Sequence, residues 1–452
     1  MATAHQKKVG NQVILKVRPS QGLKGTVRVP GDKSISHRAA LLGAIAQGET
    51  RIDGFLESAD CLVTLRCLQA LGVSVKHLGP GAYEIAGRGT LGFQEPTDVL
   101  NCGNSGTTMR LLAGILAAQP IFSVLTGDES LRSRPMARVV EPLRSMGARI
   151  YGREGNAKAP LAIVGTQKLK GIAYELPKAS AQVKSAILLA GLLAAGETVI
   201  REPAPSRNHT ELMLQHLGVP VVSRGLKVVL PGGFLPRGSE LSVPGDISSA
   251  AFLLVAAAIL PESDLVIEDV GINPTRAGVL YVLKAMGANL EILEEKWQGE
   301  PRADIRIRSS RLRGVEIGGS TIPSLIDELP VIAVAAAFAE GTTVIRDAAE
   351  LRVKECDRIA VMARELTRLG VDISERSDGW RIKGGRKIHG GEAHGAGDHR
   401  IVMALAVLGL GGSNEVSIRG AEAVGISYPG FAKTLRQLGA DVEEVEYGII
   451  HS

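Results

Sequence analysis

The chain has 452 residues, a formal net charge of +5 and an aromatic content of only 3%. A chain of this length exceeds what one hydrophobic core usually organises, so the sequence predicts two or three domains. Few aromatic side chains leave few platforms for stacking unpaired bases, which argues against nucleic-acid binding. The cationic residues are spread over many short motifs, which favours a small polyanionic ligand.

Cysteine spacing and hydrophobic runs limit the class of protein further. None of the four cysteines pairs as CxxC, so we expect neither a disulfide framework nor a zinc site. The longest apolar runs, at residues 250–260 and 331–339, are shorter than the ~20 residues that span a bilayer. The N-terminus carries no apolar signal core. We therefore expect a cytoplasmic protein without a membrane partner.

One helix-to-strand transition recurs six times along the chain, at intervals of roughly 70 to 85 residues. In each copy an apolar helical run ends at Leu-Gly or Met-Gly, and an alternating apolar strand follows. The glycines are Gly72, Gly147, Gly218, Gly287, Gly370 and Gly439. The pattern predicts six versions of one compact unit in a mixed α/β architecture.

The units can be followed element by element. In the first unit we predict a helix over residues 34–46, a strand from residue 51, and a second helix capped by Asp60 that ends at Gly72. A strand over residues 73–75 follows. The corresponding helix, strand and helix are predicted at 186–195, 199–200 and 210–217 in the third unit, and at 331–339, 344–345 and 356–369 in the fifth.

A duplicated tetrapeptide indicates the domain boundary. Val-Pro-Gly-Asp stands at residues 29–32 and again at 243–246, each time before a long apolar helix. Pro-Gly followed by an N-capping Asp makes a stiff turn, which suits a crossing between lobes better than an ordinary surface turn. We predict one lobe at residues 31–244, a second from residues 1–30 and 245–452, and a hinge near 29–33 and 243–246.

Cationic and small polar residues gather at helix starts. Lys33 and Ser34 open the first helix, and Arg38 follows one turn later on the same face, so backbone donors, a hydroxyl and cations point to one anion. The segment from Asn104 to Arg110 opens a helix in the same way. Further arginines near the turns of later units are Arg132, Arg134, Arg207, Arg358 and Arg400.

Two carboxylates are candidates for proton transfer. Asp327 precedes an apolar helix, and Glu355 lies between Lys354 and Arg358, so both are expected to face a basic cleft. The plainer alternative is that acidic residues at helix starts serve as N-caps. That alternative applies to Asp32, Asp246, Asp327 and Asp398.

Three patterns that would indicate a cofactor or metal are rejected. The GxGxxG match at residues 87–92 is followed by Gln-Glu-Pro and not by a helix, so it does not predict a dinucleotide site. No Walker A sequence is present. His389, His394 and His399 are spaced by five without accompanying cysteines, so we expect no metal there. The sequence predicts no metal and no organic cofactor.

Six motifs in the same order resemble the 5-enolpyruvylshikimate-3-phosphate (EPSP) synthase family of enolpyruvyl transferases, over nearly the whole chain. They are Gly31–Arg38, Asn104–Arg110, Arg134–Met136, Ser180–Gln182, Arg352–Arg358 and Asp398–Arg400. The resemblance implies a two-lobed, inside-out α/β barrel, in which each lobe has three βαβαββ units around a pseudo-threefold axis. It also implies a place in the shikimate pathway, which leads to chorismate and the aromatic amino acids.

The resemblance implies two sets of binding residues. Shikimate 3-phosphate would be bound by Lys33, Ser34, Arg38, Ser180, Ala181, Gln182, Arg207, Asp327 and Lys354. Phosphoenolpyruvate would be bound by Lys33, Asn104, Gly106, Thr107, Arg134, Gln182, Arg358 and Arg400. Asp327 is then the expected acceptor of the hydroxyl proton, with Glu355 and Lys33 as candidates for the acid.

The chain departs from many family members at two positions. Ala181 replaces a second serine, and Ile426 stands where many members carry a lysine before Ser-aromatic-Pro. Both changes resemble the bacterial branch called class II. Gly106 leaves room for the inhibitor glyphosate, whereas Ile426 indicates an altered pocket, so the sequence leaves the response to this inhibitor open.

Two other functions remain to be weighed. The related enolpyruvyl transferase of peptidoglycan synthesis usually has Lys-Asn at its first motif and a Pro-Gly-Gly-Cys loop, whereas this chain has Lys33-Ser34 and Cys102 in another context. A scaffold that binds polyanions without catalysis is the alternative from another class. We expect a monomer whose partners are small anionic substrates.

Overall fold

The structure, a computed structural model, describes residues 11–89 and 92–448. The first ten residues of the predicted second lobe, and part of the rejected GxGxxG segment, lie outside the described residues. Described strands form six sheets that share one arrangement. In each, an edge strand pairs in parallel with its neighbour, and the next two pairings are antiparallel. The sixfold repetition of the sequence is thus confirmed.

The strands are, in chain order, β1 (Asn11–Val17), β2 (Lys24–Arg28), β3 (Glu49–Asp53), β4 (Ser74–Gly79), β5 (Ala82–Ala86), β6 (Leu100–Asn101), β7 (Phe122–Thr126), β8 (Arg149–Gly152), β9 (Lys158–Val164), β10 (Ala173–Glu175), β11 (Glu197–Arg201), β12 (Val222–Arg224), β13 (Lys227–Pro231), β14 (Glu240–Ser242), β15 (Asp264–Gly271), β16 (Asn289–Ile292), β17 (Lys296–Trp297), β18 (Pro301–Arg308), β19 (Glu316–Ile317), β20 (Thr342–Ile345), β21 (Asp372–Arg376), β22 (Gly379–Lys383), β23 (Gly391–His394), β24 (Val416–Arg419) and β25 (Val442–Gly448). The sheets have the orders β14-β3-β5-β4, β6-β7-β9-β8, β10-β11-β13-β12, β16-β18-β15-β2, β19-β20-β22-β21 and β23-β24-β1-β25, with β17 added beside β18.

The helices are α1 (Lys33–Ile45), α2 (Ala59–Ala70), α3 (Gly106–Ala117), α4 (Glu129–Ser133), α5 (Ala137–Ser145), α6 (Arg153–Asn156), α7 (Ala181–Gly191), α8 (His209–His216), α9 (Ile247–Ile259), α10 (Gly278–Ala285), α11 (Leu329–Phe338), α12 (Arg358–Arg368), α13 (His399–Leu410) and α14 (Phe431–Gln437). Short 3-10 turns lie at Gly319–Ser324, Ala349–Val353 and Ala421–Ile426. Among the described helices, none combines the length and the apolar character needed to cross a membrane.

The buried apolar residues form two separate clusters. One contains residues between 35 and 243, called here the first half. The other contains residues 15–29 together with residues between 247 and 442, called here the second half. In the first half α3 packs against α1 and α7, and in the second half α9, α11 and α13 pack against one another. Most residues of these helices are buried, including nearly all of α9, α11 and α13, which are apolar on nearly every side.

The six helix ends predicted at Leu-Gly or Met-Gly are confirmed, whereas some predicted helix starts are wrong. All six repeat glycines have positive φ, between 81° and 101°, which glycine adopts without strain. Ser58, not Asp60, is the N-cap residue of α2, and Asp60 lies within the first turn. The fifth unit's helix α12 begins after Asp357 and not at Cys356. Helix α11 begins at Leu329, so Asp327 precedes the helix and does not cap it.

The two Val-Pro-Gly-Asp segments pair with each other. The backbone N–H of Asp32 donates to Pro244 O at 2.8 Å, and that of Asp246 donates to Pro30 O at 2.9 Å. Gly31 and Gly245 form an antiparallel bridge between the segments. Both chain crossings between the halves therefore lie side by side, directly before α1 and α9.

Candidate active site

A cavity of about 440 Å³ lies between the two halves and is lined by residues from both. It contains nearly all of the predicted site residues. These are Lys33, Ser34, Asn104, Gly106, Thr107, Arg134, Ser180, Ala181, Gln182, Arg207, Asp327, Lys354, Glu355, Arg358 and Arg400. Motifs that lie far apart in the chain are thus brought together in one place.

Helix N-termini meet at this cavity because four of the six repeats present the start of their first long helix to it. The lining includes the first residues of α1, α3, α7 and α13. These helices are capped by the side chains of Asp32, Ser105, Ser180 and Asp398, respectively. Free backbone N–H groups and the positive end of the helix dipole favour anions at such positions.

Asp327 is surrounded by cations. Its carboxylate forms an ion pair with Arg207 and lies 3.3 Å from Arg358 Nη1 and 3.7 Å from Lys354 Nζ. Arg400 donates from Nη1 to the backbone oxygen of Asp327 at 3.2 Å. Burial alone would raise the pKa of Asp327, but Lys354, Arg400, Arg207 and Arg358 outweigh it and hold that pKa well below its ordinary value. The carboxylate is therefore ionised at neutral pH.

Glu355 and Arg358 form a second charged group. Arg358 is almost fully buried and lies 2.7 Å from both Glu355 Oε2 and Asp398 Oδ2. Burial opposes ionisation of Glu355, yet Arg358, His399 and Lys33 lower the pKa of this carboxyl below its ordinary value. Glu355 is therefore also ionised at neutral pH.

Lys33 has a partner that the sequence did not reveal. Its Nζ lies 3.0 Å from Asp60 Oδ2, and its backbone N–H donates to Asp246 Oδ2 at 3.2 Å. Burial disfavours the charge, but Asp60 and Glu355 outweigh it, so the pKa of Lys33 is raised. Since Asp60 does not cap α2, its carboxylate is free to hold this cation. The signal available in the sequence was an acidic residue in the first turn of the helix, two positions after the N-cap residue Ser58.

Side-chain hydrogen bonds connect the residues that the first half contributes to the cavity lining. Arg134 donates from Nη2 to Asn104 Oδ1 at 2.6 Å. Gln182 accepts from Arg110 Nη1 at 2.6 Å and donates to Thr107 Oγ1 at 3.0 Å. Arg110 belongs to the second motif, but neither of the predicted binding sets includes it. Its own contacts place it at the cavity.

Arg38 is the predicted site residue that does not reach the cavity. Its guanidinium group is buried, and it donates to Thr210 Oγ1, Ser185 Oγ and the backbone oxygen of Ser34. Burial is the largest cause that lowers the pKa of Arg38, to about 10. Helical spacing placed it correctly beside Ser34, but its side chain turns toward α8. Through its hydrogen bond to the backbone oxygen of Ser34, it stabilises the first turn of α1 on the side away from the cavity.

His399 is a site residue that the sequence considered only as a metal ligand. It lines the cavity and is 1% exposed, and neither ring nitrogen has a hydrogen-bond partner among the described residues. Burial and the nearby Lys33 and Arg400 lower its pKa to about 3, so the ring is neutral at pH 7. His389 is exposed, and the described residues contain no group of metal-ligating side chains.

Ionised carboxylates, numerous cations and helix N-termini in one cavity favour small ligands that carry several negative charges. Residues 17–450 match the family described as EPSP synthase (3-phosphoshikimate 1-carboxyvinyltransferase). The chain belongs to this family. The predicted resemblance is thus confirmed, and the enzyme class is that of a transferase.

Close relatives cover almost the full length. The chain is 53% identical to the 3-phosphoshikimate 1-carboxyvinyltransferase of Geobacter metallireducens, over 94% of this chain and 99% of that protein. It is 55% identical to that of Synechococcus elongatus, over 94% and 96%. The EPSP synthase structure from Acinetobacter baumannii covers 96% of this chain and 100% of its own, with 47% identity and a TM-score of 0.89.

Proposed function

We propose that this chain transfers the enolpyruvyl group of phosphoenolpyruvate to the 5-hydroxyl of shikimate 3-phosphate and releases phosphate. The observation that carries this function is the single cavity in which residues of all six motifs meet, with two ionised carboxylates among an excess of cations. Two substrates that each carry a phosphate and a carboxylate repel each other in water. Charge-assisted hydrogen bonds, at roughly 1.5 to 3 kcal/mol each, offset that repulsion.

The two substrates divide the cavity between them. Shikimate 3-phosphate would contact Lys33, Ser34, Ser180, Ala181, Gln182, Arg207, Asp327 and Lys354, with Arg38 acting from behind Ser34. Phosphoenolpyruvate would contact Lys33, Asn104, Gly106, Thr107, Arg134, Gln182, Arg358 and Arg400. Lys33 and Gln182 belong to both sets, which is the position expected for groups between two reacting molecules.

Asp327 accepts the proton of the 5-hydroxyl as its oxygen attacks the central carbon of the enol. In the free protein this carboxylate is a weak base, because four cations surround it. Substrate phosphate and carboxylate groups compete for the same cations, and each cation that turns to the substrate makes Asp327 more basic. Substrate binding therefore makes Asp327 a stronger base. Correct positioning of the two reactants lowers the activation barrier further, by up to ~7 to 11 kcal/mol.

Lys33 donates the proton to the methylene carbon of the enol. Lys33 holds its proton firmly at neutral pH, whereas Glu355 is ionised and has none to give. Glu355 holds Arg358 in place and favours the charged form of Lys33. In the second step the tetrahedral adduct loses a proton from the new methyl group and expels phosphate, which restores the enol double bond.

The architecture is an inside-out α/β barrel in two lobes, at residues 31–244 and at 1–30 plus 245–452. Two separate apolar clusters and six equivalent sheets support this division. The paired segments at 29–33 and 243–246 form the hinge, and closure of the lobes excludes water from the reacting carbon. A monomer in the cytoplasm completes the proposal.

Phosphate release tests the function. The purified chain should release inorganic phosphate only when shikimate 3-phosphate and phosphoenolpyruvate are both present. Release with a UDP-sugar in place of shikimate 3-phosphate would favour the peptidoglycan enzyme instead. Binding of both substrates without release would favour a scaffold.

A further inference from the structure

The cations on the two sides of the cavity differ in how they are neutralised. On the second-half side, Lys354, Arg358 and Arg400 lie within ion-pair distance of Asp327, Glu355, Asp398 or Glu328. On the first-half side, Lys33 and Arg207 pair with Asp60 and Asp327. Four further first-half cations line the cavity: Arg110, Arg134, Arg138 and Lys178. Within residues 11–89 and 92–448, none of these four forms an ion pair with a carboxylate.

Arg110 and Arg134 converge on Gly106, the first residue of α3. A Cβ atom at Gly106 would lie 2.9 Å from Arg110 Nη1 and 3.6 Å from Arg134 Nη1. The missing side chain leaves space in front of both guanidinium groups. Helix α3 has twelve residues, so its N-terminus adds a positive dipole and free N–H groups at the same point.

Arg110 is buried, but its hydrogen-bonding groups are not all paired, and no carboxylate in the described part of the chain forms an ion pair with it. It is 8% exposed, and its Nε has no hydrogen-bond partner among the described residues. Its Nη atoms donate to Gln182 and to the backbone oxygen of Pro135. Burial and then the repulsion from Arg138 and Arg134 lower its pKa to about 9. The repulsion between Arg110, Arg134 and Arg138 reduces the stability of the fold. A bound anion would offset this repulsion.

Ile426 removes one cation that the family resemblance leads us to expect at the phosphoenolpyruvate site. Ile426 ends a 3-10 turn and is not among the residues that line the cavity. Charge lost at that position must be supplied from elsewhere if a dianion is to be bound tightly. Arg138, exposed on the first turn of α5, lines the cavity and, like Arg110 and Lys178, belongs to neither binding set.

We propose that Arg110 and Arg138, together with Arg134, bind the phosphate group of phosphoenolpyruvate. This assignment rests on the proposed function. The phosphate carries more negative charge than the carboxylate, so it is matched to the side where positive charge is uncompensated. The carboxylate is left to Arg358 and Arg400. Arg110 also positions Gln182 through its Nη1, so its loss affects two contacts.

Steady-state kinetics of Arg138→Gln test the assignment, with Arg144→Gln as the matched control. Arg144 is exposed on the same helix and does not line the cavity. At low ionic strength we expect Arg138→Gln to raise KM for phosphoenolpyruvate about fivefold, since the contact is exposed. KM for shikimate 3-phosphate should stay within about twofold, and Arg138→Lys should recover part of the loss. Equal KM values for Arg138→Gln and Arg144→Gln would overturn the role of Arg138.

Arg110 is tested with inorganic phosphate as a competitor of phosphoenolpyruvate. We expect Arg110→Gln to weaken the inhibition constant of phosphate by about 10-fold to 100-fold, the range for hydrogen bonds to charged groups. Arg110→Lys should lose less, provided that circular dichroism shows both variants folded. Unchanged inhibition by phosphate in folded Arg110→Gln would contradict the assignment.

Arg134→Gln separates this inference from the proposed function. If Arg134→Gln leaves KM for phosphoenolpyruvate unchanged, the binding sets themselves are wrong. If it raises that KM while Arg110→Gln and Arg138→Gln do not, only the present inference fails. A rise in all three supports both.

Discussion

Arg207 and Asp327 form an ion pair across the cavity, although 120 residues separate them in the chain. Arg207 comes from the first half and Asp327 from the second, so this pair connects the two halves directly within the cavity. The cation also helps to keep Asp327 ionised and weakly basic. On the proposed function, a substrate that binds Arg207 would change both the contact between the halves and the basicity of Asp327.

Asp327→Asn separates catalysis from binding. The amide cannot accept the hydroxyl proton, so kcat should fall by about 10²-fold to 10⁴-fold, the usual contribution of a general base. The four cations no longer bind a carboxylate, so affinity for shikimate 3-phosphate should remain within about tenfold. Phosphate release and calorimetry measure the two quantities. Asp441→Asn, an exposed control that pairs with Arg18, should change neither.

Proton delivery to the enol distinguishes Lys33 from Glu355. In heavy water, deuterium should enter the methylene carbon of phosphoenolpyruvate during turnover, because the proton added to it comes from an exchangeable group. We expect Glu355→Gln to keep this exchange at a reduced rate and Lys33→Gln to abolish it, as mass spectrometry of recovered substrate would report. The reverse pattern would make Glu355 the donor.

Asp60→Asn should shift the alkaline limit of activity. Asp60 raises the pKa of Lys33 against the effect of burial. Without this carboxylate the lysine loses its proton at a lower pH, so kcat/KM should begin to fall about one pH unit earlier or more. A pH profile between 7 and 10 tests this, with Asp53→Asn, which pairs with exposed Arg51, as control. An unmoved limit would show that Lys33 does not need Asp60.

Buried histidines should make the protein less stable in mild acid. Burial lowers the pKa of His37 and of His399 to about 3 each. Between pH 6.5 and 5 the unfolded chain binds protons at these sites and the folded chain does not, so the free energy of unfolding falls as pH falls. Each site contributes up to about 1.4 kcal/mol per pH unit. In urea titrations His399→Gln should reduce this slope; an unchanged slope would contradict the low pKa.

Gly31→Ala tests the paired chain crossings. A Cβ atom there would lie 1.9 Å from the backbone oxygen of Gly54, so the crossing must move. We expect a loss of about 1 to 3 kcal/mol in the free energy of unfolding, as for other overpacked sites. Gly425→Ala is the matched control, since its Cβ would meet nothing within 4 Å. Equal stability of the two variants would remove the steric argument.

The periodicity of the sequence predicted the six units well, because both of its signals depend on residues close together in the chain. These signals are a glycine with positive φ after a helix and an apolar helix that is buried. The periodicity was weaker for helix starts, where acidic residues compete between capping and ion pairing. The sequence predicts Asp60 as a cap, but the N-cap residue of α2 is Ser58, and the partner of Asp60, Lys33, lies 27 residues away in the chain. Such a pair depends on how α1 and α2 pack.

The direction in which a side chain points could also not be predicted from the spacing of residues in the sequence. Arg38 and Lys33 both lie near the start of α1, yet only Lys33 reaches the cavity. Arg110 and His399 stood inside recognised motifs without a role, because their importance comes from missing partners, and those are visible only in three dimensions. The family resemblance identified the reaction, whereas the charge balance of the cavity required coordinates.

The order of strands in the last sheet has a consequence for synthesis on the ribosome. Strand β1 lies between β24 and β25, so its partners are synthesised only after the whole of the first half. At about 5 to 20 residues per second, β1 waits tens of seconds for its partners while the first half can already fold. During that interval an apolar strand with unpaired edges depends on chaperones, or on speed, to escape aggregation.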